Sequence, residues 1–146
     1  MAIKAKIANK AISDKSGYSI GIIKEILEID ERIEKQGKKE IKFAAQFEFS
    51  IISEGTQKAI IHKIWTGQNI NFQKFKNESG HEDYNRLTRL CLNIGLLKET
   101  DLASLKNDNI PNLEDLEGKQ IKFKLEPSKK NQQFSLIDIS SIRLVD

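Results

Sequence analysis

One amphipathic segment, late in a chain whose other patterns are strand-like, constrains the fold more than any other feature. Between residues 82 and 94, apolar side chains recur at helical spacing, namely Tyr84, Leu87, Leu90, Cys91 and Ile94. Ser79 and Glu82 have the spacing of a capping box, and Gly95 is a natural C-terminal stop. The pattern predicts one helix with a single dry face over residues 82–94.

Three strand-like stretches precede this helix. Residues 17–29 are rich in isoleucine, and their alternation breaks near Lys24, as it does in a bulged strand. Residues 41–51 have apolar side chains at every second position, which is the clearest strand pattern in the sequence. Residues 58–66 are β-branched and aromatic, and a turn at residues 53–56 joins them to the second strand as a hairpin.

Two more strands follow the helix. Residues 120–125 alternate cleanly, whereas residues 133–144 alternate with one change of register. Residues 127–132 form a polar hairpin between them. Two further stretches are expected to be loops. Residues 30–40 are almost all charged and have the composition of an exposed hairpin loop, and residues 68–80 become polar toward the helix and are expected to form a loop with a short extended piece.

This succession of three strands, one helix and two strands is the chain order of an OB-fold. We therefore expect a mainly β protein, a five-stranded OB-fold-like barrel with one α-helix between strands 3 and 4. The apolar face of the helix would close the open end of the barrel. Phe43, Phe47 and Phe49 share one face of the second strand and are expected to lie in the core.

Length and composition set the domain organisation. Residues 1–16 lack the continuous apolar core of a signal peptide and are expected to form an N-terminal arm, free to be flexible. Residues 17–146 are expected to form a single OB-fold-like domain. No stretch approaches the roughly 18 apolar residues of a membrane helix. We therefore expect no membrane contact. Because the only cysteine, Cys91, allows no disulfide within the chain, we also expect a reducing, cytoplasmic environment.

The charge is small in sum and uneven in distribution. The formal net charge is only +3, which does not by itself argue for nucleic acid. Residues 53–76 hold four lysines against one acid, residues 119–130 hold five lysines against one acid, and residues 99–117 hold six acids and one lysine. Such separation can steer an anionic polymer onto one face. Solvated lysines on exposed strand faces would explain the same pattern.

Patterns typical of enzymes and metal sites have little support. His62 and His81 lack the paired spacing of a metal site. Cys91 falls on the apolar face of the predicted helix, where a small buried hydrophobic residue suffices. The glycines form no phosphate-binding loop. We therefore expect no catalytic residues, no cofactor and no metal.

Four stretches share their pattern with one group of proteins: Gly17-Tyr18, Phe43-x-x-x-Phe47-x-Phe49, Arg86-Leu87-x-x-Leu90-Cys91-x-x-x-Gly95-Leu96, and Leu113-Glu114-Asp115-Leu116-Glu117-Gly118-Lys119. From residue 17 onward the chain resembles the phage-encoded single-stranded-DNA-binding-like OB-fold proteins. The resemblance implies a barrel that holds single-stranded DNA during phage or prophage replication or recombination, with other replication or recombination proteins as possible partners. Many bacterial single-strand binders end in an acidic tail with a terminal aromatic residue. This sequence instead ends directly after a strand, so recruitment through such a tail is not expected.

Binding single strands requires aromatic faces for bases and cations for phosphates. The stacking candidates are Trp65, Phe72 and Phe75, followed by Tyr18. Trp65 ends the third strand, on the usual OB binding face, but it could also cap the core; Phe72 and Phe75 could instead anchor their loop. The phosphate candidates are Lys58, Lys63, Lys74, Lys76, Lys129 and Lys130, with Lys122 and Lys124 next.

The leading hypothesis is a non-catalytic single-stranded DNA-binding protein with salt-sensitive affinity. Stacking and phosphate contacts suit RNA as well. The alternative is an OB-fold protein-interaction or assembly module in a phage or replication complex. A carbohydrate or small-molecule binder is a third possibility, and it predicts polar residues rather than lysines around Trp65. Exposed edge strands leave room for a homodimer.

Overall fold

The protein is mainly β with one α-helix. A computed structural model describes residues 17–55, 57–76, 80–106, 110–127 and 135–145. The elements in these residues are β1 (Ser19–Ile29), β2 (Arg32–Gln36), β3 (Lys39–Phe43), β4 (Gln46–Glu54), β5 (Ala59–Thr66), β6 (Phe75–Lys76), β7 (Glu82–Asp83), α1 (Arg86–Asn93), β8 (Gln120–Pro127) and β9 (Ser135–Leu144). Two short 3-10 helices, Glu99–Ser104 and Leu113–Leu116, lie between α1 and β8. The predicted N-terminal arm, residues 1–16, lies outside the described residues.

Five strands form one antiparallel sheet in the order β5-β4-β1-β8-β9. These are the five predicted strands, and α1 lies between the third and the fourth of them along the chain. In the part of the chain that the structure describes, no hydrogen-bonded ladder joins β5 to β9, so the five predicted strands form an open sheet and no closed barrel is found. No helix among these residues is both long and apolar enough to span a membrane.

β1 is the central strand and carries the predicted irregularity. Its register against β4 shifts between Ile23 and Glu25, which confirms the bulge expected near Lys24. Gly21 lies where β1 is most closely packed, because a Cβ there would meet the carbonyl oxygen of Ile52 at 2.9 Å and the Phe123 ring at 3.1 Å. A side chain at this position would push the strands apart.

The core lies between the inner face of the sheet and α1. Each strand contributes alternate residues, and the buried set includes Ile23, Phe49, Ile51, Ile64, Ile121, Phe123 and Ile142. From α1, Leu87, Leu90 and Cys91 face this layer and are almost completely buried. The helix therefore has the core role that its dry face predicts.

α1 begins later than the sequence pattern predicts. Its N-cap is Asn85, whose side-chain oxygen accepts a hydrogen bond of 2.9 Å from the backbone N–H of Thr88. Residues 82–83 instead form strand β7 against β6, and Asp83 forms an ion pair with Arg89. The predicted start at residue 82 is therefore wrong, and Ser79 of the predicted capping box lies outside the described residues. Gly95, at φ +77°, ends the helix as predicted.

The charged stretch before the second sheet strand is a β-ribbon rather than a loop. β2 and β3 pair across a two-residue turn in which Gly37 has φ +66°. Residues 44–45 separate β3 from β4, so the predicted strand over residues 41–51 is divided in two. Phe43 consequently lies on the ribbon, with the Arg32 guanidinium 4.5 Å from its ring centroid, and not in the core. The alternation of apolar residues continues through residues 44–45 and does not mark the break. The pairing of β3 with β2 places residues 39–43 in the ribbon instead.

We predict that Asn85→Ala destabilises the protein by about 1 kcal/mol, since it removes the helix cap. Asn85→Asp keeps an acceptor for the Thr88 N–H and should lose less. Urea unfolding monitored by circular dichroism measures both changes. Equal stability of wild type and Asn85→Ala would contradict the assignment of the cap.

His62 introduces a titratable group into the inner face. Its Nε2 lies 3.0 Å from Ser53 Oγ, and its ring makes an edge contact with Phe123 at 5.6 Å between centroids. Burial lowers the pKa of His62 below its ordinary value of 6.5. The unfolded chain therefore takes up this proton first as the pH falls.

We predict that the free energy of unfolding decreases as the pH drops from neutral through 6.5 toward the lower pKa of folded His62. His62→Gln should remove this part of the pH dependence. Urea unfolding of both proteins at neutral pH and at about pH 5.5 measures the difference. If both lose the same stability, His62 does not titrate in the way the structure indicates.

Candidate nucleic-acid interface

The solvent face of β4 and β5 carries the exposed tryptophan. The alternation of β5 turns Ile64 and Thr66 into the core and turns Ile61, Lys63 and Trp65 outward. Trp65 is 41% exposed, so it does not cap the core. Its indole and the ammonium of Lys63 share one side of the sheet, as the sequence predicts.

Glu48 links these two side chains. It lies opposite Trp65 in the β4–β5 ladder, and its Oε2 accepts a hydrogen bond of 2.9 Å from the indole Nε1. Its Oε1 forms an ion pair of 3.2 Å with Lys63 Nζ. The Trp65 hydrogen bond, together with the Lys63 charge, lowers the pKa of Glu48 below its ordinary value despite the opposing effect of burial. The carboxylate therefore fixes the edge of the indole and neutralises Lys63, while much of Trp65 stays in contact with water.

An apolar row crosses the same face. Ile61 pairs with Ile52, and Ile52 pairs with Ile22, so the three side chains lie side by side on neighbouring strands. Ile61 is 61% exposed and Ile22 is 46% exposed. Exposed apolar rows of this kind mark binding surfaces more often than isolated exposed residues do.

A second aromatic side chain lies at the other end of this face. Lys122 and Lys124 of β8 both point outward, and their Nζ atoms lie 5.3 and 5.1 Å from the ring centroid of Tyr18. Ile20 is two residues after Tyr18, and it pairs with Lys122 where β1 and β8 are neighbours. The sequence ranks these three residues below Trp65, but the structure brings them together as one cluster.

The other predicted aromatic residues lie between β5 and α1. Phe72 and Phe75 are 56% and 51% exposed, so neither is buried as a loop anchor. Lys74 places its Nζ 5.2 Å from the Tyr84 ring centroid, and Lys76 lies in β6 opposite Glu82. The lysines of this stretch therefore lie near aromatic and acidic neighbours.

The remaining predicted lysines are dispersed. Lys58 is exposed beside the β4–β5 turn, at the opposite end of β5 from Trp65. Lys129 and Lys130 lie outside the described residues. Three further exposed lysines, which were not among the predicted site residues, lie at the tip of the β2–β3 ribbon: Lys35, Lys38 and Lys39. Their clustering around Gly37 was the available signal, and the acids on either side obscured it.

The structure places Cys91 where a nucleophile would not function. Its side chain is fully buried, and burial raises the pKa of the thiol to about 12.

Among the described residues, no group of three or more His, Cys, Asp or Glu side chains converges in a way that could hold a metal ion. A half-open groove of about 480 Å³ lies away from the outer face, between the end of β1, α1 and residues 110–114.

Comparisons with protein-family models, curated proteins and solved structures found no match to this chain. A functional assignment for this protein therefore has to rest on the geometry of the outer face.

We predict that the emission of Trp65, the only tryptophan, follows the protonation of Glu48. Because the pKa of Glu48 is lowered, the acid transition should have a midpoint below 4.5, and Glu48→Gln should abolish it. Circular dichroism in the same titration separates this change from unfolding. The matched control is Glu54→Gln, on the same strand and face, which should keep the transition.

Proposed function

We propose that this protein is a non-catalytic OB-fold protein that binds single-stranded DNA, and that it acts in phage or prophage replication or recombination. The observation that carries the proposal is the exposed indole of Trp65 beside Lys63 on the solvent face of a β-hairpin. Bases stack on such an aromatic face, and neighbouring ammonium groups contact phosphates.

Strand order supports the OB-fold assignment. β1 lies between β4 and β8, and the two edge strands are β5 and β9. In an OB-fold the binding face lies on the second and third strands, which correspond here to β4 and β5. Residues of β5 and β9 come within 8 Å between Cα atoms, which is the approach required of strands on either side of an open seam.

The β2–β3 ribbon also supports the proposal. It connects the first and second strands of the sheet, and the loop at this position contacts ligands in many OB-folds. Its tip carries Lys35, Lys38 and Lys39, all of them exposed. A flexible anionic polymer lying on the β4–β5 face could reach these charges.

We predict that fluorescent oligo(dT) binds at low salt and quenches Trp65 emission. Trp65→Ala should weaken binding by about 1 to 3 kcal/mol, the usual contribution of one stacked base. Ile110→Ala, which truncates an exposed apolar side chain away from the outer face, is the matched control and should bind like wild type. Fluorescence anisotropy over a range of salt concentrations gives the affinities.

Absence of any change in oligo(dT) anisotropy or in Trp65 emission at low salt would overturn the proposal. A parallel titration with oligo(U) distinguishes DNA preference from general single-strand binding, because RNA offers the same stacking and phosphate contacts.

The apolar row favours a second candidate, a protein-interaction or assembly module. Ile22, Ile52 and Ile61 form a surface that a partner protein, or a second copy of this chain, could cover. Sedimentation of the protein alone tests self-association: a dimer that Ile61→Lys disrupts would favour this candidate. A monomer that binds oligo(dT) would favour the first.

A further inference from the structure

Tyr18, Lys122 and Lys124 form a cluster in which neither lysine has an ion-pair partner among the described residues; Asp138, opposite Lys124 on β9, accepts hydrogen bonds from Ser140 instead. Both ammonium groups lie close to one aromatic ring, at 5.3 and 5.1 Å from its centroid. Among the described residues, no carboxylate lies within ion-pair distance of either lysine, whereas Lys63 is paired with Glu48. Two like charges held near each other repel, and an anion between them would relieve the repulsion.

The cluster stands on a rigid part of the fold. Lys122 and Lys124 are two residues apart on β8, so the strand places both side chains on the same face. β8 is an interior strand, hydrogen-bonded to β1 on one side and β9 on the other. The side chain of Lys122 is also half-buried, which limits the conformations of its stem. The strand therefore places both lysines on one face beside Tyr18 before any ligand arrives.

We propose that Tyr18, Lys122 and Lys124 form a phosphate-binding site, distinct from Trp65, for the backbone of a bound single strand. This inference rests on the proposed function and extends it across the outer face. Trp65 is level with Leu27 through the β4 ladder, so nine residue steps along the chain, from Tyr18 to Leu27, separate the two sites in the strand direction. At about 3.3 Å per residue the separation is at most about 30 Å. One strand of several nucleotides would contact both sites, whereas a dinucleotide would contact only one.

The proposed site also changes which lysines are expected to contribute most to phosphate binding. Lys63 exchanges one ion pair for another when it contacts a phosphate, because Glu48 already neutralises it. Lys122 and Lys124 exchange only bound water and counterions. They should therefore contribute more to the salt dependence of binding than Lys63 does.

The experiment compares wild type with Lys122→Gln/Lys124→Gln by oligo(dT) anisotropy at several salt concentrations. Loss of two phosphate contacts should reduce the slope of log K against log salt by about 1.4, while saturating quenching of Trp65 is preserved. Lys98→Gln/Lys106→Gln removes the same charge from exposed positions elsewhere and should leave the slope unchanged. A dinucleotide, detected by Trp65 quenching, should bind wild type and the double variant equally.

Tyr18 has its own test. Tyr18→Phe keeps an aromatic ring beside both lysines and should bind oligo(dT) like wild type, whereas Tyr18→Leu should weaken binding. An amide NMR spectrum of each variant establishes that the fold is retained. Weaker binding by Tyr18→Phe than by Tyr18→Leu would overturn the role given to the ring.

The remaining outcomes separate this inference from the proposed function. If wild type binds oligo(dT) and Lys122→Gln/Lys124→Gln has the same slope, the phosphate site is wrong and the proposed function stands. Titration with inorganic phosphate, followed at the amides of Tyr18, Lys122 and Lys124, addresses the source of the anion. If phosphate shifts these signals but oligo(dT) does not bind, the nucleic-acid assignment is overturned for the site and for the protein. If neither binds, both proposals fail.

Discussion

The fold depends on β1 pairing with two partners at once. Ser19 and Ile20 pair with β8, Gly21 and Ile22 pair with both β8 and β4, and beyond the bulge after Ile23 the strand pairs only with β4. Gly21 permits the close approach of Ile52 and Phe123 at this crossing. A bulge bends a strand and increases its twist, so β1 can belong to the β5-β4 hairpin and to the β8-β9 hairpin.

The same sheet has one buried side and one solvent-exposed side. Its inner face buries Phe49, Ile64 and Phe123 against α1, while its outer face leaves Trp65 and the isoleucine row in water. Exposing an indole and several branched side chains forgoes the stabilisation that their burial would bring. A ligand that covers this face would recover that stabilisation, and under the two proposals it would contact Trp65 with its bases and Lys122 and Lys124 with its phosphates.

Sequence reasoning was most accurate where periodicity and burial coincide. Alternation predicted β1, β4, β8 and β9, and helical spacing predicted the buried face of α1, whereas β5 was predicted from its β-branched and aromatic composition. Sequence reasoning was wrong where two structures compete for the same residues. Residues 82–83 have the composition of a helix start, yet they pair with β6. The helix begins after them because Asn85 supplies its N-cap. Phe43 continues the alternation of β4, yet it belongs to the ribbon.

The sequence by itself determined the five strands of the main sheet, the place of the helix among them and which residue types are available for stacking and charge. Only the tertiary structure decided how those residues meet. The partnership of Glu48 with Trp65 and Lys63 depends on the register of β4 against β5, and the convergence of Lys122 and Lys124 on Tyr18 depends on β8 pairing with β1. Tyr18 and Lys122 are far apart along the chain, and local patterns do not encode which strands become neighbours. Side-chain charge and aromaticity are local properties, whereas their neutralisation or exposure is set by long-range pairing.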